Sequence, residues 1–444
     1  MRGAVVATIA VAACGDDGGM TSGDVNPPMA DAPLIGATSC DPLPMPSGNI
    51  IDVTPAQADQ LGTIALGASP GDVIRLADGT YNITAGVGMN LSKPGLTVIS
   101  ASRDASKVTL DGGAYVSREL IQITASNVTV AHITLKNARN HPIHLYPGAG
   151  ADITGAMIYG VVIIDGGQQF IKSNPDKSNA EVATAHFVDD VTVACSTFTM
   201  TAAGRAYVPI NPDNTGYPCY TGGIDAHSAK GWLVRRNRFE GIYCDSGLAE
   251  HAIHFWHCGR DQLIEQNGFV NNARAIGLGL TDGAGFNERP YADNPHAADK
   301  MGAYAGNYDG MIRNNFIFAD VSAFDCGICL EQAMGAKVIA NTVVRTGMAT
   351  TGNAVEYRFA NSLVTIDNTI ATSIVMRDAG RATLGTNQLA PPVTQFVNAA
   401  AGDLHLKDTA TDALDKGTMR ADLTDDIDGE PRASATPDLG ADER

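Results

Sequence analysis

A short phrase of apolar and polar positions keeps returning along this chain. An aliphatic pair is followed by two or three polar residues, an Asn and another apolar pair. It reads LVRRNRF over Leu233–Phe239, LIEQNGF over Leu263–Phe269 and MIRNNFI over Met311–Ile317. It returns as VIANTV over Val338–Val343 and VTIDNTI over Val364–Ile370. Weaker copies put Ser100, His132, Met157 and Cys195 at the Asn position. The steps between anchors run from 25 to 48 residues, a base period near 25 with insertions. Such a period marks stacked coils, and the alternation within each phrase makes the coils of strand rather than helix. The predicted fold is all-β, a right-handed parallel β-helix of about nine to ten coils spanning residues 48–390. The recurring amides are predicted to stack from coil to coil as a hydrogen-bonded ladder.

Each coil also carries a second strand that aligns on one inward residue. These residues are Ile143, Ile171, Ile224, Ile253, Ile276, Ile328 and Val355. Successive strand residues face opposite sides, so two outward columns follow. The first is His144, Lys172, Asp225, His254, Gly277, Cys329 and Glu356; the second is Tyr146, Asn174, His227, Trp256, Gly279, Glu331 and Arg358. A plain solvated face would hold Ser, Thr, Lys and Asp. This one holds imidazoles, a Trp, a Tyr and acids, then a pair of glycines predicted to leave a gap against which a ligand lies. An outward Trp256 suits a sugar ring, whose C–H groups pack on indole.

The flanks change the picture of where the protein works. Residues 1–13 read as a signal segment too short to span a bilayer. Residues 14–47 are rich in Gly, Asp and Pro and read as a flexible tether. The stretch from Val53 to Leu66 is predicted to be a short amphipathic helix capping the open end of the solenoid. Residues 391–444 are read as a C-terminal cap and tail. Insertions at 173–190, 203–222 and 281–309 fall on the middle coils, where long loops are expected to wall a groove.

The formal net charge is −18, which disfavours nucleic acid as a partner. A single elongated solenoid predicts a monomer. Eight cysteines are present. With Cys14 set aside seven remain, and the expected disulfides are Cys195–Cys219 and Cys244–Cys258, each pair flanking a loop. Cys40 has no evident partner, and the Cys326/Cys329 pair lies on a strand.

Val11-Ala12-Ala13-Cys14 resembles a bacterial lipobox. That resemblance implies cleavage before Cys14 and lipidation of its thiol, hence an exported envelope lipoprotein that meets the membrane only through its anchor. The stretch from Pro70 to Tyr81 resembles the opening strand of right-handed β-helix proteins, and the whole pattern resembles the pectate-lyase-like superfamily of polysaccharide-active proteins. Within it, the alginate lyase and chondroitinase B group is similar over residues 70–370. That group implies a Lys base, an Arg on the next coil and calcium. Here the Lys position falls on His227, the Arg position on Trp256–His257, and the calcium-binding acids on Gly222 and Gly223.

The chemistry expected is β-elimination on a uronate polysaccharide, with no certain cofactor and calcium as a candidate. A base takes the C5 proton, a cation holds the carboxylate and an acid protonates the leaving oxygen. His227 or His254 is the candidate base, Lys172 the cation, Asp225 the residue orienting both, and Tyr146 a spare proton donor. His144, Tyr146, Trp256, Glu331, Glu356 and Arg358 are candidate substrate contacts. A hydrolase pairing Glu331 with Glu356 is the alternative, and non-catalytic glycan binding by a tethered surface protein another. A metal set of Asp225, His227 and His254 also fits two His and one carboxylate. The run Glu250-His251-x-x-His254-x-x-His257 is not expected to form a site, because positions three apart on a strand face opposite sides.

Overall fold

The computed structural model describes residues 40–444 except 149, 178–183, 281–288, 290, 292–304, 350 and 433–434. Cys14 and most of the tether lie outside the described residues. The chain winds into three long stacks of parallel strands, of 14, 11 and 10 members. Each coil contributes in turn to each stack. The 10-stranded sheet runs from Val87–Leu91 at one end to Ile374–Arg377 at the other. A parallel pair needs a crossover, and here the crossover is the rest of the coil.

The inward positions fill the core. Ile143, Ile171, Ile224, Ile253, Ile276 and Ile328 are fully buried and stand opposite one another in register. Phe198, Phe239 and Phe269 form a second inward file, with rings stacked at 4.5 and 5.1 Å. Such flat stacking is what strands in direct register permit.

The amide ladder forms, with a different membership. The Asn237 backbone N–H and Nδ2 both donate to Asn267 Oδ1 at 3.0 Å. Asn267 does the same to Asn315, and Asn315 to Asn341. Strand register then puts Val338 beside Ile366, so Thr369, not Asn368, takes the next place and accepts from the Asn341 N–H. Likewise Ser196 stands where Cys195 was expected and donates its N–H to Asn237 Oδ1. His132, Cys195 and Asn368 all occupy the preceding corner, with φ between 52 and 55°. An Asn suits either place, because it tolerates the left-handed region. Identity alone therefore misplaced the anchor by one residue there, and by four at Met157, since Ile158 stands beside Val193 and Val161 takes the place next to Ser196.

The N-terminal cap is present. A 3-10 turn over Pro55–Gln60 runs into the helix Leu61–Gly67, which buries Leu61 and Ala65 over the end of the core. The last tether residues do not hang free. The Leu43 N–H donates to His132 Nε2, the Tyr159 hydroxyl to the Asp41 carbonyl, and Cys40 is disulfide-bonded to Cys195. The C-terminal segment forms a hairpin, Phe396–Asn398 with Asp403–Leu406, and then returns along the corners of the coils. There Asn314 Nδ2 donates to the Asp425 carbonyl, Gln266 Nε2 to the Asp426 carbonyl and the Gly440 N–H to the Asn368 carbonyl.

The expected cysteine pairs are corrected. Cys195 pairs with Cys40, Cys219 with Cys244 and Cys326 with Cys329, while Cys258 keeps a buried thiol. The reason is stacking. Cys219 ends one insertion and Cys244 lies on the next coil, and the winding brings their Cα atoms to 5.9 Å. Loop-flanking proximity in sequence does not report that neighbour. No helix among the described residues is long and apolar enough to cross a membrane.

Candidate active site

The two outward columns lie on the 10-stranded sheet as read. His144, Lys172, Asp225, His254, Gly277, Cys329 and Glu356 stand on successive strands in register. His227 faces Trp256, and Gly279, Glu331 and Arg358 follow in line. The strands Gln169–Ser173, Gly222–His227 and His251–Trp256 carry the central residues.

Three of these form one hydrogen-bonded group. Lys172 Nζ donates to Asp225 Oδ2 at 2.5 Å and to His227 Nε2 at 2.9 Å. An ammonium can only donate, so His227 Nε2 is the acceptor and the ring proton sits on Nδ1. Asp225 Oδ1 has no hydrogen-bond partner and stands 3.3 Å from His227 Nε2. On the next coil His254 Nε2 faces the Gly279 carbonyl at 3.1 Å. Trp256 meets His227 edge-on at 4.9 Å and stacks on His257 at 3.8 Å.

Burial sets the protonation states. It is the main cause holding His227 below the usual imidazole range, with the Lys172 charge adding to it. Burial likewise lowers His254, against the opposing charges of Asp225 and Glu331, and takes His257 down to about 2. Burial alone would raise Asp225, but the charge of Lys172 beside it holds its carboxyl well below the ordinary value. Burial, and then Asp225, pushes Glu250 up. The imidazoles are thus neutral and Asp225 ionised at neutral pH.

Beside this group lies a cavity of about 550 Å³, lined by Asp213, Thr215, Tyr217, Tyr220, Asp225, Glu250, His254 and Trp256. Its outer wall is the 203–222 insertion, as expected. Thr201 caps the helix Ala202–Tyr207 and is itself held by Asp165. Asn214 Nδ2 donates to the Gly167 and Val208 carbonyls, Asp213 pairs with Arg139 at 3.2 Å, and Cys219–Cys244 closes the loop. Arg289, from the 281–309 insertion, bonds Asp189 and the Ser228 carbonyl instead. Tyr217 and Tyr220 were not singled out in the sequence, and Glu250 only within the run set aside there. They lie on an insertion and at a strand end, where alternation gives no facing rule.

Other expectations need correction. The glycine gap is filled: the His251 ring lies 2.6 Å from where a Gly277 Cβ would stand, and a Cβ on Gly279, at φ +94°, would strike the Glu331 carbonyl at 1.8 Å. Glu331 is paired with Arg358 at 2.8 Å, and both Glu356 oxygens with Arg377 at 3.0 Å. The two acids of the hydrolase pairing are therefore spent on arginines. Tyr146 donates to the Asp176 carbonyl and His144 faces Glu119 at 2.9 Å; neither lines the cavity. Gly222 and Gly223 offer no side-chain oxygen, so the residues do not fit calcium there.

One known structure shares this architecture along nearly its whole length. Pectate lyase Pel9A superposes with a TM-score of 0.53 over 92% of this chain and 98% of its own, at 13% identity. The fold is a parallel β-helix of the pectate-lyase-like type. An alginate lyase from Paenibacillus sp. str. FPU-7 gives a TM-score of 0.41 at 14% identity, covering 77% of this chain and 99% of its own. PfbA, a surface adhesin of Streptococcus pneumoniae, gives 0.44 at 13% identity, covering 78% and 89%. No family model and no curated protein matches the chain.

Proposed function

We propose that this protein is an exported, carbohydrate-active β-helix protein that cleaves a uronate-containing polysaccharide by β-elimination. The observation that carries the reading is the Lys172–Asp225–His227 group, set beside an aromatic-walled cavity. A uronate carboxylate arriving on this face attracts the Lys172 ammonium, which releases the lone pair of His227 Nε2. His227 then takes the C5 proton, the C4–O bond breaks, and a C4–C5 double bond forms in the sugar. Tyr220 supplies the proton for the leaving oxygen; burial pushes its phenol up, so it is protonated at neutral pH. Asp225 keeps Lys172 and His227 in place, and Trp256 is the platform for the ring.

One observation favours glycan binding without turnover: Lys172 already occupies the only lone pair on the His227 ring. The test separates the two. Purified protein is incubated with a panel of uronate polysaccharides, with and without calcium, while ultraviolet absorbance is followed. The expected result is a rise from the unsaturated product on one polysaccharide, lost in His227→Ala and Lys172→Ala. No rise, together with adsorption to the same polysaccharide, sinks the lyase and leaves the binding protein.

A further inference from the structure

The stretch dismissed in the sequence forms a cluster in the structure. The donor atoms of Glu250, His251 and His254 all lie within 4.8 Å of one another. Glu250 Oε2 is 3.8 Å from His254 Nδ1 and 3.9 Å from His251 Nδ1. Strict alternation would separate the two rings. His251 opens its strand at the bend of the coil, and its ring folds over Gly277 of the next coil, in space that any Cβ would occupy. The ring centroids of His251 and His254 end 4.3 Å apart.

We infer that Glu250, His251 and His254 bind a divalent metal ion of the zinc class. Three observations carry this, and none depends on the elimination chemistry proposed above. The first is that His251 is 1% exposed and neither of its ring nitrogens has a hydrogen-bond partner. Burying an imidazole with both nitrogens unsatisfied is unfavourable; a metal ion removes the penalty at one of them. The second is that His254 Nε2 is committed to the Gly279 carbonyl. That contact fixes the proton on Nε2 and presents the Nδ1 lone pair to Glu250, the usual outer support of a metal-bound His. The third is donor type. Two imidazoles and one carboxylate suit zinc and its neighbours, whereas calcium takes six to eight oxygens.

The two contacts to Glu250 need little adjustment. A tetrahedral ion about 2.1 Å from each donor requires donors about 3.4 Å apart, so the two distances to Glu250 close by about half an ångström. Three protein ligands leave one position open. Glu250 and His254 also line the cavity, so the open position takes an oxygen ligand, such as a carboxylate, entering from it. The other compact cluster among the described residues, His405, Asp428 and Asp442, does not compete. Both His405 ring nitrogens are already bonded to Asp403 and Asp428.

The experiment uses full-length protein stripped with chelator and no polysaccharide, so its outcome is separate from that of the lyase assay. Zinc chloride, cobalt chloride and calcium chloride are titrated by calorimetry, with visible absorption for cobalt and thermal melting for each. The expected result is one zinc per chain, a raised melting temperature, a cobalt spectrum of nitrogen-ligated type, and no effect of calcium. His251→Ala is expected to weaken zinc binding by at least about a hundredfold, while His227→Ala leaves it unchanged, which separates this site from the Asp225/His227/His254 set. If wild-type protein takes up no zinc, the inference falls without recourse to any variant. It falls equally if folded His251→Ala binds zinc as tightly as wild type.

Discussion

At the scale of single residues, the ladder amides show how a polar side chain becomes core. Asn267 is fully buried, yet its amide donates to the Val234 and Glu265 carbonyls and to Asn315, and its oxygen accepts twice from Asn237. Removing it leaves backbone groups on two coils without partners in a place water does not reach. Asn267→Ala is therefore expected to lower stability by about 2–4 kcal/mol, read as a shift in denaturant midpoint at unchanged slope. Asn267→Asp makes a useful companion. It keeps the acceptors but loses both donors and buries a charge, so it is expected to cost at least as much as Ala.

The element that decides the site is the loop over 203–222, because without it the sheet face would be an open surface. Its hold on the coil is partly covalent. Cys219 and Cys244 are 25 residues apart in sequence, and closing a loop of that length constrains the unfolded chain by about 3 kcal/mol. The double variant Cys219→Ser/Cys244→Ser is expected to melt earlier. It is also expected to bind polysaccharide more weakly, because Tyr217 and Tyr220 would no longer be held over Asp225 and Trp256. Unchanged binding together with a lower melting temperature would show that the hydrogen bonds of Asn211 and Asn214 suffice to place the wall.

Across the whole molecule, a solenoid needs both ends closed, since each coil packs only on its neighbours. At the C-terminal side His405 stands edge-on to Phe316 and bonds Asp403 at 2.6 Å and Asp428 at 2.9 Å, with Asp442 nearby. Burial alone would lower its pKa, but the bonds to Asp428 and Asp403 raise it to about 9. A folded value above the unfolded one, about 6.5, gives a definite sign. The stabilisation is complete below about pH 6.5 and is lost as pH rises through about 9, amounting to about 1–3 kcal/mol. Asp442, pushed up to about 6 mainly by burial, titrates below that window. Wild type is thus expected to lose stability between pH 6.5 and 9 relative to His405→Ala. Parallel pH profiles for the two proteins would remove His405 as the cause.

The amino-acid sequence by itself determined the architecture and the columns on its working face. Repetition makes both a local property: once Ile143 through Val355 point inward, alternation and strand spacing fix what points outward. The same reasoning placed His227, Asp225 and Lys172 on neighbouring strands and the 203–222 insertion beside them. Only the tertiary structure decided what lies at the bends and between distant segments. Alternation stops where a coil turns, so His251 could swing over Gly277 and join His254. Tyr220 sits on an insertion with no period to read. Cys40 meets Cys195 across 155 residues of chain, and Arg377 neutralises Glu356. Which charge meets which, and which gap is filled, depends on side-chain reach in three dimensions, and no repeat records it.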